Sequence, residues 1–92
     1  MKLATSVVHV QNDRTRVTEW IFESGAETGP HVHGHDYVIV PITSGTIRLV
    51  DSEGERDVVL QPGASYFRRA GTSHNVFNVG LNELRFVEVE LI

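Results

Sequence analysis

Apolar and polar residues alternate in short runs along this chain, and turn-forming residues separate one run from the next. In the segment 16–23, for example, Trp20 and Phe22 fall on one side while Glu19 and Ile21 fall on the other. Successive side chains of a strand point to opposite faces of a sheet, so this alternation predicts a strand. No segment carries apolar residues at a convincing helical spacing, and we predict no helix.

The same pattern predicts further strands between the turn signals. The predicted strands cover residues 3–10, 16–23, 36–42, 46–50, 56–60, 64–68, 73–79 and 84–92. Residues 24–30 hold two glycines and a proline and are predicted to form a loop. Residues 51–54 are a predicted turn that closes a hairpin. Many short strands at this spacing are typical of a sandwich or barrel, so the predicted fold class is all-β.

The segment 36–42 differs from the others because it is almost wholly apolar. Such a run predicts a strand that is covered on both faces. Pro41 has no backbone N–H for a sheet ladder, so it predicts an edge or a bulge. A barrel of this size leaves part of such a strand uncovered, and the pattern therefore predicts a homodimer.

Length and composition narrow the classes of protein. Ninety-two residues predict a single domain over residues 1–92. The sequence has no cysteine, which excludes disulfides, thiolate metal sites and thiol nucleophiles. The net charge of −4 and the scattered basic residues argue against nucleic-acid binding. No apolar run approaches membrane-spanning length, and residues 1–10 do not resemble a signal peptide, so we expect a cytoplasmic protein without a membrane partner.

The segment 25–45 carries the most informative chemistry, because His31, His33 and His35 stand at every second position. In extended backbone, residues two apart share a face, so His31 and His33 bring their imidazoles into one small volume. Neutral imidazole is a frequent metal ligand, and two or three converging rings suit Fe, Zn, Cu or Ni. The competing interpretation is a set of surface histidines that binds no metal.

Two spaced motifs cover most of the chain. The first is a glycine, five residues, His-x-His and a later glycine, which is matched by Gly25, His31, His33 and Gly45. The second is a glycine, five residues, Pro-x-Gly, two residues, a histidine, three residues and an asparagine. Its glycines, histidine and asparagine are matched by Gly63, Gly71, His74 and Asn78. On these residues the chain resembles the cupin superfamily. The resemblance implies a single cupin-type double-stranded β-helix, or jelly-roll, barrel.

The chain departs from the family pattern at two positions. Arg69 stands where the second motif has proline. The glutamate of the first motif is missing, since its position falls on Tyr37 or Val38, depending on the spacing used. The segments DYVIVP, TEWIF and FVEVEL are similar to a narrower group of short cupins that includes β-alanine degradation proteins. That likeness implies a role near amino-acid catabolism but no defined reaction.

The resemblance implies that His31, His33 and His74 hold a divalent transition metal ion, such as Fe, Mn, Ni or Zn. Three imidazoles leave coordination positions open, which is typical of a catalytic rather than a structural metal.

The fourth ligand has three candidates. If the strand runs unbroken from His31, His35 faces inward and completes the set. If Gly34 sits in a bulge, the parity reverses and Asp36 supplies the carboxylate that the absent glutamate does not. The extra residue between His33 and Gly45 favours Asp36. Water is the third candidate.

Other side chains have simpler interpretations. His9 is expected to be packed or exposed rather than a ligand. Arg68 and Arg69 are candidates for binding a substrate carboxylate, because a guanidinium bonds that group in bidentate fashion. Glu88 and Glu90 share a face and are candidate acid–base groups, although a water-facing strand edge explains them more simply. The expected core aromatics are Trp20, Phe22, Tyr66, Phe67, Phe77 and Phe86.

These residues predict a metal-dependent enzyme, of dioxygenase, isomerase or lyase type, that acts on a small polar metabolite. The alternative is a non-catalytic barrel that binds or senses a small molecule, with or without metal. Histidine binds metal only when neutral, and its ordinary pKa is about 6.5. We therefore expect protons to compete with the metal as the pH falls through that region.

Overall fold

The computed structural model describes residues 2–92, which form nine β-strands and no helix. The strands are Thr5–Gln11 (β1), Thr15–Phe22 (β2), His31–Val32 (β3), Asp36–Pro41 (β4), Gly45–Asp51 (β5), Gly54–Leu60 (β6), Tyr66–Arg68 (β7), Ser73–Asn78 (β8) and Leu84–Leu91 (β9). The eight predicted strands are all present, and β3 was missed because it is only two residues long. Within residues 2–92 no helix is long and apolar enough to cross a membrane.

The strands form two antiparallel sheets. One has the order β1-β2-β9-β4-β7 and the other has the order β3-β8-β5-β6. Phe22 and Leu84 of the first sheet belong to the same buried core as Ile47 and Leu49 of the second. Strands that are adjacent in space are therefore often distant in sequence, as β2 and β9 are.

Alternation along β9 shows how the sequence sorts its side chains between core and surface. Leu84, Phe86, Glu88 and Glu90 are buried, and the residues between them are only partly buried. The carboxylates of Glu88 and Glu90 therefore lie on the inward face of β9. The expectation that Glu88 and Glu90 face water is wrong, because each is only 8% exposed.

The apolar strand β4 is covered on one face within this chain. Tyr37 and Ile39 point inward and are nearly inaccessible, while Val38 and Val40 lie on the outer face and are partly exposed. β4 lies between β9 and β7, so it is not an edge strand. Pro41 is tolerated because it pairs with Phe86 of β9 beyond the point where the pairing with β7 ends.

Two of the expected core aromatics lie elsewhere. Phe67 is 48% exposed, and Phe77 is partly buried on the outer face of β8. The even-numbered residues of β7 and β8 face inward. The odd-numbered Phe67 and Phe77 therefore face outward, although both are hydrophobic. Trp20, Phe22, Tyr66 and Phe86 do pack in or against the core.

Asn78 holds the loop end of the barrel together. Its amide nitrogen donates to the carbonyls of Phe22, Glu23 and Asn82, at 3.3, 3.2 and 2.9 Å. Its Oδ1 accepts from the backbone N–H of Gly80 at 3.0 Å. Asn78 is 1% exposed, so these four hydrogen bonds are made by a fully buried side chain. The side chain therefore acts as a structural bridge between β2, β8 and the turn before β9.

We expect Asn78→Ala to lower the free energy of unfolding by about 2–3 kcal/mol, because it removes the hydrogen bonds that this buried side chain makes to four backbone groups. Urea denaturation at neutral pH measures the change. Asn82→Ala is the matched control, since the Asn82 side chain is exposed. A loss below about 1 kcal/mol for Asn78→Ala would contradict the bridging role.

Candidate metal centre

Backbone pairing between β3 and β8 brings the three motif histidines together. His31 and His74 are directly opposite partners in this short antiparallel pair. His33 follows β3, and its N–H donates to the Thr72 carbonyl at 2.9 Å. The Gly71 N–H donates back to the His33 carbonyl at 2.8 Å. Gly71 has a φ of +89°, a conformation that glycine adopts without strain.

The ring nitrogens converge on one point. His33 Nε2 lies 3.0 Å from His31 Nε2 and 3.1 Å from His74 Nε2. The ring planes meet at 73° to 88°, so the rings approach edge to face rather than stacking. Two adjacent ligands at right angles around an ion, each about 2.1 Å from it, are about 3.0 Å apart. The donor set and its spacing therefore fit a transition metal ion bound by three imidazoles.

The other ring nitrogens orient the set. His31 Nδ1 lies 2.8 Å from the Gly29 carbonyl, so Nδ1 carries the proton that it donates and Nε2 keeps a free lone pair. His33 stacks on Tyr37, with ring centroids 4.0 Å apart and planes at 22°. On its far side, His33 Nδ1 lies 3.8 Å from Glu88 Oε1. His74 Nδ1 is buried without a protein partner among the described residues.

Burial keeps two of the imidazoles neutral. Together with the neighbouring His31, it lowers the pKa of His33 to about 4. Burial likewise lowers the pKa of His74 to about 4, with His31 and His33 as lesser causes. Protons are therefore expected to compete with a metal for these two ligands at a lower pH than the ordinary histidine pKa suggested.

The two protein candidates for the fourth ligand lie outside the histidine group. Asp36 is exposed, and its Oδ1 accepts from the Ala70 N–H at 2.7 Å. His35 is also outside the set of side chains whose donor atoms converge. The inward residues after the loop are Tyr37 and Ile39, which is the parity of the unbroken alternative. The structure thus does not support Asp36 as a ligand, because the bulge that would turn it inward is absent.

The histidines line a cavity of about 220 Å³ between the two sheets. Its apolar walls come from Trp20, Ile39, Ile47, Leu49, Val76 and Phe86, and its polar groups include Thr28, Tyr66, Arg68 and Glu88. Pockets for drug-sized ligands measure about 300–1,000 Å³. The cavity therefore fits a small metabolite.

Glu88 is a buried carboxylate from outside both motifs that lines the cavity without joining the converging histidines. It reaches the cavity from β9, where it pairs with Ile39 of β4. Burial raises the pKa of Glu88 to about 7, and the nearby Glu90 carboxylate raises it too. Glu90 is held differently, because Arg16 donates to both of its oxygens at 2.8 and 3.0 Å and lowers its pKa. Parity with the buried Leu84 and Phe86 is the sequence signal that locates Glu88.

Arg68 is the cationic group of the cavity, while Arg69 is exposed and does not line it. The Arg68 guanidinium lies 4.5 Å from the centre of the Tyr66 ring. Its Nη1 donates to the Phe67 carbonyl at 2.9 Å. Among residues 2–92 no carboxylate lies within ion-pair distance of it. His9, by contrast, is half exposed and bonded to Glu19, as expected for a residue that is not a ligand.

A barrel of two antiparallel sheets with three imidazoles converging beside an internal cavity defines the class to which this chain belongs. A family model described as "Cupin domain" matches residues 18–90. The chain belongs to the cupin family, and its fold is the single cupin-type jelly-roll barrel that the motifs implied.

Individual proteins of known name or structure are also similar to this chain. The chain is 52% identical over 88 residues to the beta-alanine degradation protein BauB of Pseudomonas aeruginosa, an alignment covering 96% of this chain and 93% of that protein. It is 44% identical to a cupin domain from Bordetella pertussis, with a TM-score of 0.97 and coverage of 99% and 95%. The polyketide cyclase RemF of Streptomyces resistomycificus shares the fold, at 23% identity, a TM-score of 0.79 and coverage of 98% and 66%.

We expect the metal-free protein to lose stability as the pH falls from about 6.5 towards 4. In that window the unfolded chain protonates His33 and His74 while the folded chain does not, so protons favour unfolding. Each histidine contributes on the order of 2–3 kcal/mol to this loss, and Glu88 offsets part of it, because its raised pKa makes the folded chain hold a proton that the unfolded chain releases over the same range. Urea denaturation in the presence of a chelator, at several pH values, measures it.

His74→Gln should flatten this pH dependence, because the substituted side chain does not titrate. His9→Gln is the control, since His9 lies on the surface. Equal pH slopes for the wild type and His74→Gln would show that His74 is not held neutral in the folded protein.

Proposed function

We propose that this chain is a metal-dependent enzyme that acts on a small metabolite carrying a carboxylate. His31, His33 and His74 hold the divalent transition metal ion, which is one of Fe, Mn, Ni or Zn. The observation that carries the proposal is the convergence of three Nε2 atoms on the wall of a cavity that is also lined by Glu88 and Arg68. The relative's printed name, beta-alanine degradation protein, supports a substrate of amino-acid catabolism.

The metal, when bound, supplies a Lewis acid or a site for dioxygen, with coordination positions left open by the three imidazoles. The chain's own residues provide the rest. Apolar walls reduce contact with bulk water and strengthen charge interactions inside the cavity. Tyr37 fixes the orientation of His33 by stacking on it, which keeps its Nε2 aimed at the other two.

Glu88 serves as the acid–base group. Its pKa of about 7 means that the carboxyl both holds and releases a proton near neutral pH. It lines the same cavity as the ligands, so its proton is available to a molecule bound there. A carboxylate of ordinary pKa would be ionised throughout this range and would serve only as a base.

Arg68 binds the substrate carboxylate. The guanidinium faces the cavity without an acidic partner among the described residues, and its stacking on Tyr66 limits its orientations. A planar guanidinium bonds a carboxylate through two parallel N–H groups. The substrate is therefore oriented between Arg68 and the histidine set.

One observation favours a second candidate function. The position of the family's glutamate is occupied by Tyr37 or Val38, and the converging donors comprise imidazoles alone. A barrel with this weaker donor set is a candidate for binding or sensing a small carboxylate without converting it. A bound molecule recovered chemically unchanged distinguishes this function from catalysis.

We expect untagged protein, purified without chelator or nickel resin, to contain about one transition metal ion per chain by elemental analysis. His33→Ala and His74→Ala should each weaken metal binding by more than about 100-fold, since losing even a supporting partner of a ligand costs about 10–100-fold. His9→Ala should bind as the wild type does. Metal-free wild type that takes up no Fe, Mn, Ni or Zn would exclude the enzyme as proposed.

We expect Arg68→Gln to raise the KM for a small carboxylate about 10- to 100-fold, because a hydrogen bond to a charged group contributes about 1.5–3 kcal/mol. A panel of amino acids and short-chain carboxylates, assayed with metal-loaded protein, identifies the substrate first. Arg69→Gln is the matched control, because the neighbouring arginine lies outside the cavity. An unchanged KM in Arg68→Gln would remove Arg68 from the binding site.

Four features from the sequence stay predictions. They are a single domain spanning residues 1–92, a homodimeric state, a cytoplasmic location, and the absence of nucleic-acid and membrane partners.

A further inference from the structure

The chain already pairs with β8 before β3 begins. Glu27 and Phe77 form an isolated antiparallel bridge, and the next N–H along the chain, that of Thr28, donates to the Val76 carbonyl at 3.0 Å. This stretch therefore extends the antiparallel contact of β3 along β8, although it belongs to no strand of its own.

The register of this contact shifts by one residue before the first metal ligand. The bridge just described lies on one side of the shift, and the pair of His31 with His74 lies on the other. Between them, three residues of the first segment face two residues of β8, namely Thr28, Gly29 and Pro30 against Asn75 and Val76. An extra residue on one strand of an antiparallel pair is a β-bulge. We call residues 28–30 the Gly29 bulge.

The Gly29 bulge places Thr28 on the same face as His31. Residues three apart in a regular strand face opposite sides of the sheet. Here both side chains line the cavity, because the extra residue reverses the alternation between them. Thr28 Oγ1 consequently lies 3.2 Å from His31 Nδ1.

The bulge also turns a backbone carbonyl towards the ligand. Gly29 has a φ of +84°, which glycine adopts without strain. In an unbroken ladder, carbonyls bond the neighbouring strand. The Gly29 carbonyl instead accepts from His31 Nδ1 at 2.8 Å and from the Thr28 hydroxyl at 2.9 Å. The first bond keeps the proton of His31 on Nδ1, and the second fixes the position of the shared carbonyl.

Thr28 restores the ladder contact that the bulge interrupts. In a regular pair the Val76 N–H would bond the Thr28 carbonyl, but here it donates to the Thr28 hydroxyl oxygen at 3.2 Å. Val76 is buried, so its N–H needs a partner from the protein. The one hydroxyl group therefore serves both the sheet and His31, and a valine of the same shape would serve neither.

His31 is held more firmly than the other two ligands. Within residues 2–92, His33 Nδ1 lies 3.8 Å from Glu88 Oε1, which is beyond hydrogen-bond distance. In the same part of the chain His74 Nδ1 has no protein partner. His31 thus enters the site with its ring already oriented. A group that is oriented before binding loses less freedom when it binds.

We propose that Thr28 and Gly29 are positioning residues for the metal site, because they fix the ring orientation of His31 and keep its proton on Nδ1. The inference rests on the proposed function, in which the three histidines hold a metal ion. It adds two residues that are not ligands but on which the affinity for the metal depends.

Titration of Zn²⁺ into chelator-treated protein, followed by calorimetry, tests the Thr28 hydroxyl, and Fe²⁺, Mn²⁺ and Ni²⁺ are titrated in the same way. Thr28→Val should raise the dissociation constant about 10- to 100-fold, the range typical of losing a partner of a ligand. Thr28→Ser keeps the hydroxyl and should bind as the wild type does.

Thr43→Val is the matched control for Thr28→Val. The Thr43 hydroxyl also accepts from a backbone N–H, that of Arg85 at 3.0 Å, but it lies outside the cavity. This variant should lose stability in urea and keep the metal affinity of the wild type. A purely structural role for Thr28 would make the two variants behave alike.

Gly29→Ala tests the bulge itself. Gly29 has open space around it, so the added methyl group acts only through the strain that a side chain causes at this φ. The variant should also bind the metal about 10- to 100-fold more weakly. Gly63→Ala is the control, because Gly63 has a φ of +77° and open surroundings but does not line the cavity.

The position of the His31 proton is measured without metal. Long-range ¹H–¹⁵N correlation spectra, recorded at a pH where histidine is neutral, show which ring nitrogen carries it. We expect the proton on Nδ1 in the wild type and in Thr28→Ser, and on a mixture of both nitrogens in Gly29→Ala. A wild type with the proton on Nε2 overturns the proposal.

The positioning role and the metal site fail in different ways. A wild type that takes up none of the four ions overturns both. A wild type that binds metal, together with a Thr28→Val variant that binds it equally well, overturns the positioning role alone. So does a Thr43→Val variant that loses as much affinity. Circular dichroism verifies folding, and Thr28→Val decides the matter should Gly29→Ala unfold.

Discussion

The site depends on a very short piece of sheet, the pairing of β3 with β8. Two residue pairs are enough to set His31 opposite His74, and two further backbone hydrogen bonds, from His33 to Thr72 and from Gly71 to His33, extend the contact. These bonds join two segments that are about forty residues apart in the chain. Without them, the imidazoles of the first motif would have no third partner, because no other strand presents a histidine to the cavity among the residues described.

Burial in the cavity determines which of its ionisable groups carry a charge. Burial disfavours charge, so it holds two imidazoles neutral and raises the pKa of Glu88. Neutral imidazoles are what a metal requires, and a carboxyl that titrates near neutrality suits proton transfer. Glu90, one inward position further along β9, stays ionised because Arg16 bonds both of its oxygens. Burial thus keeps two histidine ligands neutral and raises the pKa of the acid–base candidate Glu88. The ion pair with Arg16 instead keeps Glu90 ionised.

Side chains alternate along the strands of the five-stranded sheet, so one face of the sheet lines the cavity and the other is the outer surface of the barrel. In β7, Tyr66 and Arg68 face the cavity and Phe67 faces outward; in β9, Glu88 and Glu90 face inward around Val89. Every residue that shapes the cavity is therefore adjacent to one that shapes the outer face. In β4 the same alternation turns Tyr37 and Ile39 inward and leaves Val38 and Val40 on the outer face.

Much of this was accessible from the sequence, because strand alternation and turn chemistry are local properties. They located eight of the nine strands, and the two motif spacings identified the three histidines that converge. Local pattern did not decide which strands become neighbours, since that depends on long-range pairing and twist. The presence of Glu88 and Arg68 beside the histidines, and the exclusion of Asp36 from the histidine group, follow from that pairing. Only the tertiary structure could set them around the histidines, because they come from strands that meet in space but lie far apart in the chain.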